Sequence, residues 1–538
     1  MSGFLLLCAV VILCCVILNK ISGKMGLPML LFFIALGLFF GSDGVVKIPF
    51  ENYAFAEQIC SIALIFIMFY GGFGTNWEEA KPIAGKAVLL STAGVILTCG
   101  FTGLFCRWVL GMAWLESLLI GAVISSTDAA SVFSILRSKQ LNLKDHTASL
   151  LEIESGSNDP CSYMLTVIIL SLMQGNLTAG GMILLVAKQI VFGGLFGVGI
   201  AYLSLFVLKR FSFETNGFDA IFVVAVAVFS YALPDVLGGN GYLSAYVAGI
   251  ILGNARIPNK KALVHFFDGL TGMMQMLIFF LLGLLAFPSQ MPTVFASSFL
   301  IAVGLTFLIR PLVIFGLLKP FGCSSAQCGL VSWTGLRGAA SIVFAIMATI
   351  HPAYTRYDLF HIVFCVVLLS ISFQGTLLPW MAKKLHMVDG EANVLKTFTD
   401  YAEEEQVQFM QLALENGHPW QGKKIAQINL PPQMLLVMVI RGKQTIVPNG
   451  QTMLHEGDIA VLAAPKFEGA GEKNLVLQEQ TLGKKDERIG KRIQDLPRTR
   501  QLIVLIKREG SCLLPNGRTK LNNGDVLVIY EQNETGSV

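Results

Sequence analysis

Residues 151–170 read LEIESGSNDPCSYMLTVIIL. The second half is apolar enough to begin a membrane-spanning helix, yet Glu152, Glu154, Asn158 and Asp159 occupy the first half. A carboxylate at the centre of a bilayer costs at least about 2.5–3.5 kcal/mol, so ionisable groups at that depth mark a task. On a helix Asp159 shares a face with Ser155 and Ser162, while Glu154 lies one turn from Asn158 and Glu152 two turns from Asp159. The spacing predicts a polar lane leading to one carboxylate.

The surrounding chain places this lane in a membrane. Of 538 residues, 54% are hydrophobic and 14% charged, with a mean hydropathy of +0.65, too apolar for an ordinary soluble protein. At about 20 residues per span, roughly thirteen apolar stretches fit between residues 3 and 382. The basic residues of their loops alternate. Lys20, Lys81, Lys139, Lys144, Lys209, Arg256, Lys319 and Lys383 fall on one side; the other holds Lys47, Arg107 and Arg356. The positive-inside rule then puts the N-terminus outside and everything after Lys384 in the cytoplasm of a cell whose plasma (inner) membrane the chain crosses many times. Eleven cysteines, mostly within apolar stretches, show neither disulfide nor zinc spacing and read as small hydrophobes. Nothing in the charge pattern points to nucleic acid.

The organisation predicted is a transmembrane domain at 1–386, a linker at 387–404 and two cytosolic modules at 405–470 and 471–538. The modules follow from an internal repeat. GKKIAQINLPPQMLLVMVIRGKQTIVPNGQTMLHEGDIAVLAA from Gly422 is echoed by GKRIQDLPRTRQLIVLIKREGSCLLPNGRTKLNNGDVLVIYE from Gly490. Each copy has a Pro-Asn-Gly turn, a Gly-Asp turn and apolar strands. The fold class is therefore a polytopic all-α membrane domain followed by small α+β modules. Neither module carries a phosphate loop or a nucleophile with its base, and no segment suggests an enzyme.

Two further clusters lie within apolar spans. ISSTDAAS interrupts the fifth span with Ser125, Ser126, Thr127 and Asp128, whose oxygens can satisfy freed backbone groups if the helix unwinds there. WTGLRGAASIVF puts Arg337 at the middle of the twelfth span, where it needs a carboxylate or backbone carbonyls; Glu154 is its expected partner in a structural ion pair. TDAAS and RGAAS occupy corresponding positions, which points to two repeats whose broken helices cross at a central site. Arg310, in LIRPLVIF, is expected near the cytoplasmic end of its span, free to snorkel, with a structural or gating role; Arg310 and Glu152 are each auxiliary candidates for the site. Lys188 reads as an interfacial contact, and Gly193, Gly194, Gly197 and Gly199 as a packing face. With those cations placed elsewhere, Asp159 is an isolated buried carboxylate. A proton and a monovalent cation compete for its oxygens, which is all that exchange requires.

STDAAS, then EIESGSND one span later, then the arginine of GLRGA together resemble the monovalent cation/proton antiporters of the NhaP-like sodium/proton exchanger branch, over residues 1–385. The resemblance implies a homodimer in a lipid bilayer, inverted repeats with two crossed, unwound helices, and elevator-like alternating access. It also implies that Thr127, Asp128, Asn158 and Asp159, with Ser155, hold the transported ion and proton, the cation itself sitting at Asp159, Thr127 and Ser155, and that Glu154 pairs with Arg337. Asn158 leaves one ionisable residue where relatives with electrogenic exchange have two, so electroneutral exchange is expected. Sodium-selective members often carry a glutamate after Gly-Gly in the third span, where FYGGFG has Phe73 and Gly74. The cytosolic repeats resemble the TrkA-C module of potassium transport systems, which binds small regulators, some of them nucleotides. That company favours potassium over sodium as the cation and implies no resident cofactor. Sodium/proton exchange stays open, as does a ligand-gated potassium channel, although no TVGYG-like filter occurs.

Overall fold

Among the described residues between 9 and 384 the chain is built almost wholly of helices, because in apolar surroundings every backbone N–H and C=O must be satisfied within its own segment. The computed structural model describes residues 9–17, 28–139, 141–175, 179–210, 217–257, 259–353 and 357–389 and, with short gaps, 407–465 and 477–531. It divides into two compact units, Met1–Glu404 and Glu405–Val538.

The first unit runs through a helix at residues 9–17, then Met29–Phe40, Tyr53–Gly74, Ala84–Val109, the half-helices Trp114–Val123 and Ala129–Ser138, and Thr147–Met173. The helix Ala179–Arg210 leads to a second set: Phe218–Val236, Gly241–Asn254, Lys260–Leu285, Met291–Phe321, the half-helices Ser325–Trp333 and Ala339–Ile350, and Leu359–Lys384. Among the described residues a helix or a pair of half-helices thus lies at each predicted stretch. Seven are long and apolar enough to cross a membrane, and Met29–Phe40, Trp114–Val123 and Ala339–Ile350 are shorter apolar helices. In each set the last three members repeat one pattern, a long helix with a π turn, a broken helix, then a second long helix. The π turns are Leu90–Gly94 and Leu305–Ile309, and a third, Ser370–Gly375, lies in the final helix.

Small residues set the closest helix contacts. Gly37 lies against the Phe280 carbonyl and Gly283 against that of Ile34, so Met29–Phe40 and Lys260–Leu285 touch backbone to backbone. The predicted packing face on Ala179–Arg210 holds for Gly193 and Gly197, which lie against the backbone of Asn240 and Ser244, whereas Gly194 and Gly199 face open space. Lys188, on the same helix, is exposed.

At the end of the helical unit Met387 is buried, and Val388–Asp389 pair antiparallel with Asn142–Leu143, the Lys144 N–H donating to the Met387 carbonyl (2.9 Å). The predicted linker therefore begins on a short strand tied to the loop between Ala129–Ser138 and Thr147–Met173; the rest of it, residues 390–404, lies outside the described residues.

The second unit holds two four-stranded antiparallel sheets with one topology. In the first the spatial order is Val407–Ala413, Ile459–Pro465, Leu435–Arg441, Gln444–Ile446; in the second it is Leu477–Thr481, Val526–Glu531, Gln501–Arg508, Ser511–Leu513. Each ends its Gly-Asp turn, with Gly457 and Gly524 at φ +80° and +88°, on a buried aspartate gripped by an arginine. Arg441 Nε and Nη2 each donate to Asp458 at 2.8 Å, and Arg508 repeats this on Asp525 at 2.7 Å. These paired hydrogen bonds hold both carboxyls below the usual carboxylate range. Among the described residues the helix of each α+β module is a single 3₁₀ turn, Ile425–Gln427 and Ile493–Asp495.

Candidate functional site

The two broken helices meet at their gaps. The half-helices end at Val123 and Trp333 and resume at Ala129 and Ala339, so residues 124–128 and 334–338 are breaks of equal length. They cross, the Asp128 N–H donating to the Leu336 carbonyl at 2.8 Å. Opposite charges finish the exposed helix ends. Asp128 accepts from the Ser131 N–H (3.2 Å) and hydroxyl, capping Ala129–Ser138. Arg337 Nη1 donates to the Ser126 carbonyl (2.8 Å), beyond the C-terminal end of Trp114–Val123. Gly338 leaves room for this crossing, because a Cβ there would overlap the Asp128 carboxyl.

The helix Thr147–Met173 lies against the first gap and is stitched to it by Ser155, Asn158, Asp159 and Ser162. The Ser155 hydroxyl donates to the Thr127 carbonyl (2.8 Å) and accepts from the Ala129 N–H (2.9 Å). Asn158 Nδ2 donates to Thr127 Oγ1 (2.5 Å), and Asn158 Oδ1 accepts from the Thr127 N–H (3.4 Å). Ser162 donates to the Ala122 carbonyl (2.7 Å), and the Ser126 hydroxyl donates to Asp159 Oδ1. The predicted residues Thr127, Asp128, Ser155, Asn158 and Asp159 therefore come together.

A cavity of about 440 Å³ opens beside them, bounded by Thr127, Asp128, Glu152, Ser155 and Asp159 on one wall and by Tyr70, Asp268 and Gln275 on the other. Among the described residues its lining carries four carboxylates and no lysine or arginine. Asn158 does not line it; with the amide engaged on both sides of Thr127, that residue clamps the gap rather than facing the cavity. Ser126, the hydroxyl on Asp159, lies in the motif but was not among the predicted site residues. Beyond Ser162 the rings of Tyr163, Tyr242, Tyr231 and Phe344 pack together, so the helix is polar on one side of Asp159 and aromatic on the other.

One predicted pairing is corrected. Glu154 does not bond Arg337; it accepts from Arg310 Nη2 at 2.5 Å, with both side chains buried. Nor does Arg310 snorkel, being 3% exposed. The π turn Leu305–Ile309 directly precedes Arg310 and changes the face on which it leaves the helix, while Arg337, within an unwound gap, finds a backbone carbonyl nearer than any carboxylate. Both buried arginines are therefore engaged elsewhere, and among the described residues no cationic side chain pairs with Asp159.

The sodium/hydrogen exchanger transmembrane family matches residues 9–384. The chain belongs to the sodium/hydrogen exchanger family. The exchanger is a transporter, not an enzyme, and a TrkA-C domain matches residues 409–466, which hold most of the first four-stranded sheet. It is 34% identical to the K(+)/H(+) antiporter NhaP of Alkalimonas amylolytica over 441 residues, covering 81% of this chain and 77% of the relative. It is 32% identical to the K(+)/H(+) antiporter NhaP2 of Shewanella oneidensis, covering 85% and 80%. The solved sodium proton antiporter MjNhaP1 of Methanocaldococcus jannaschii, at pH 8, superposes with a TM-score of 0.61 at 23% identity, covering 70% of the exchanger and 98% of that chain, and shares its fold.

Proposed function

We propose that this exchanger moves potassium out of the cytoplasm against protons, one for one, with Asp159 holding either species in turn. The observation that carries this is Asp159 itself, buried, on the wall of an acid-lined cavity, with a serine hydroxyl for a partner and no cationic side chain beside it among the described residues. A carboxylate in that setting needs a counter-charge, which a proton or an alkali cation supplies. Asp159, Thr127 and Ser155 offer oxygens toward the cation; Asn158 and Asp128 hold the gap that presents them. Potassium is favoured by the NhaP and NhaP2 relatives and by the TrkA-C domain. One ionisable residue beside Asn158 favours electroneutral turnover by a homodimer in the inner membrane, its C-terminal unit cytoplasmic.

Regulation by that unit, through a small ligand such as a nucleotide, is part of the proposal. The pairing of Val388–Asp389 with Asn142–Leu143 supports it, since the chain enters the linker from a strand attached to the loop that joins the two site-bearing helices.

Proteoliposomes carrying a pH dye, challenged in turn with potassium, sodium, rubidium and lithium, test this reading. Wild type should show cation-driven proton movement, strongest with potassium, and Asp159→Asn should lose it by about a hundredfold or more. Retention by Asp159→Asn removes the site assignment. In the same vesicles a chain ending at Met387 should still exchange, with altered dependence on cytoplasmic pH or ligand.

A further inference from the structure

The gap that carries Arg337 is fastened from behind by the π turn Ser370–Gly375 of the final helix. The Arg337 N–H donates to the Ser370 hydroxyl (3.1 Å), which donates to Gln374 Oε1 (2.7 Å). Gln374 Nε2 donates to the Trp333 carbonyl (3.2 Å), and the Trp333 indole N–H donates back to the Gln374 carbonyl (3.1 Å). All four residues are buried. Trp333 ends the first half-helix and Arg337 lies at the far end of the gap, so Ser370 and Gln374 grip the non-helical segment at both ends and set its span.

The grip reaches the site through a continuous run of hydrogen bonds. Gln374 bonds Ser370, Ser370 bonds the Arg337 backbone, Arg337 Nη1 bonds the Ser126 carbonyl, and the Ser126 hydroxyl bonds Asp159. Segment 124–128 is thereby held from two sides. Ser155 and Asn158 fix it on the Asp159 helix, and Arg337 pulls on its backbone from the crossing segment. Its oxygens face Asp159 at a separation both sides determine together. Potassium and sodium prefer different oxygen separations, so a displacement of Ser126 to Asp128 by a few tenths of an ångström changes the binding of the two ions unequally.

We propose that Ser370 and Gln374 are positioning residues for cation selection, acting on the oxygens around Asp159 through Arg337 and Ser126. This rests on the antiport reading above. Neither residue lines the cavity, so neither touches the cation.

The test measures initial exchange rates against potassium and against sodium at one fixed pH, in proteoliposomes holding the full chain as wild type, Ser370→Ala, Ser370→Thr or Gln374→Leu. Ser370→Ala and Gln374→Leu should change the ratio of the two half-saturation concentrations by about threefold or more, and Ser370→Thr, which keeps the hydroxyl, should stay near the wild-type ratio. A role confined to stability lowers the maximal rate or the yield and leaves the ratio alone; that result, or an equal shift in Ser370→Thr and Ser370→Ala, overturns the proposal. If Gln374→Leu does not assemble, the two Ser370 variants decide the matter by themselves. Failure of the antiport reading is a different outcome, wild type with no cation-driven proton movement.

Discussion

Glu154 and Arg310 are bonded at 2.5 Å with both side chains out of water, so each is the other's principal charge compensation. Removing one partner of a buried pair costs about 3–5 kcal/mol, whereas removing both together costs far less. Arg310→Met should therefore lower the thermal unfolding temperature sharply in detergent, and Glu154→Gln in the same chain should restore most of the loss. Glu154→Gln should not rescue Arg337→Met, because Arg337 bonds the Ser126 carbonyl. Equal rescue of both arginine variants would contradict this assignment. At this scale Ser155, Asn158 and Asp159 are legible from sequence, since helical spacing sets their polar oxygens along one short stretch of helix, whereas the place of Thr127 beside them follows only from the resemblance to the exchanger family. The partner of Glu154 is not legible. Only Pro311 marks the π turn that brings Arg310 inward, and proline also follows many ordinary helical residues.

The two broken helices depend on a close crossing. Their gaps, 124–128 and 334–338, are visible in sequence as STD and LRG within apolar spans, and the likeness of TDAAS to RGAAS anticipates the equal gap lengths. What sequence does not reveal is how near they pass. Gly338 is a point of close approach, with the Asp128 carboxyl where a Cβ would stand. Overpacking at such a contact costs about 1–3 kcal/mol and displaces the groups involved. Gly338→Ala should accordingly lower both thermal stability and exchange rate, since it pushes Asp128 off its cap on Ser131. Wild-type values for both would mean that the crossing is looser than the hydrogen bond from Asp128 to Leu336 implies.

At the scale of the whole molecule, two helical sets place two crossed gaps around one carboxylate, and a cavity lined by Asp128, Glu152, Asp159 and Asp268 leads to it. The division into a helical unit and a strand-rich unit is plain in composition, and the Pro-Asn-Gly and Gly-Asp turns reveal the duplicated sheet. The Arg441–Asp458 and Arg508–Asp525 pairs that close each copy are hidden, because each joins a strand end to a distant turn. Coupling belongs to this scale as well, for it requires that the same buried oxygens serve both ions. Calorimetric titration of the purified full chain with potassium, repeated in buffers of different ionisation enthalpy, counts the protons released for each cation bound. Wild type should release about one proton per cation bound, and Asp159→Asn should show neither cation binding nor proton release at this site. Potassium binding by wild type with no release of protons would contradict it.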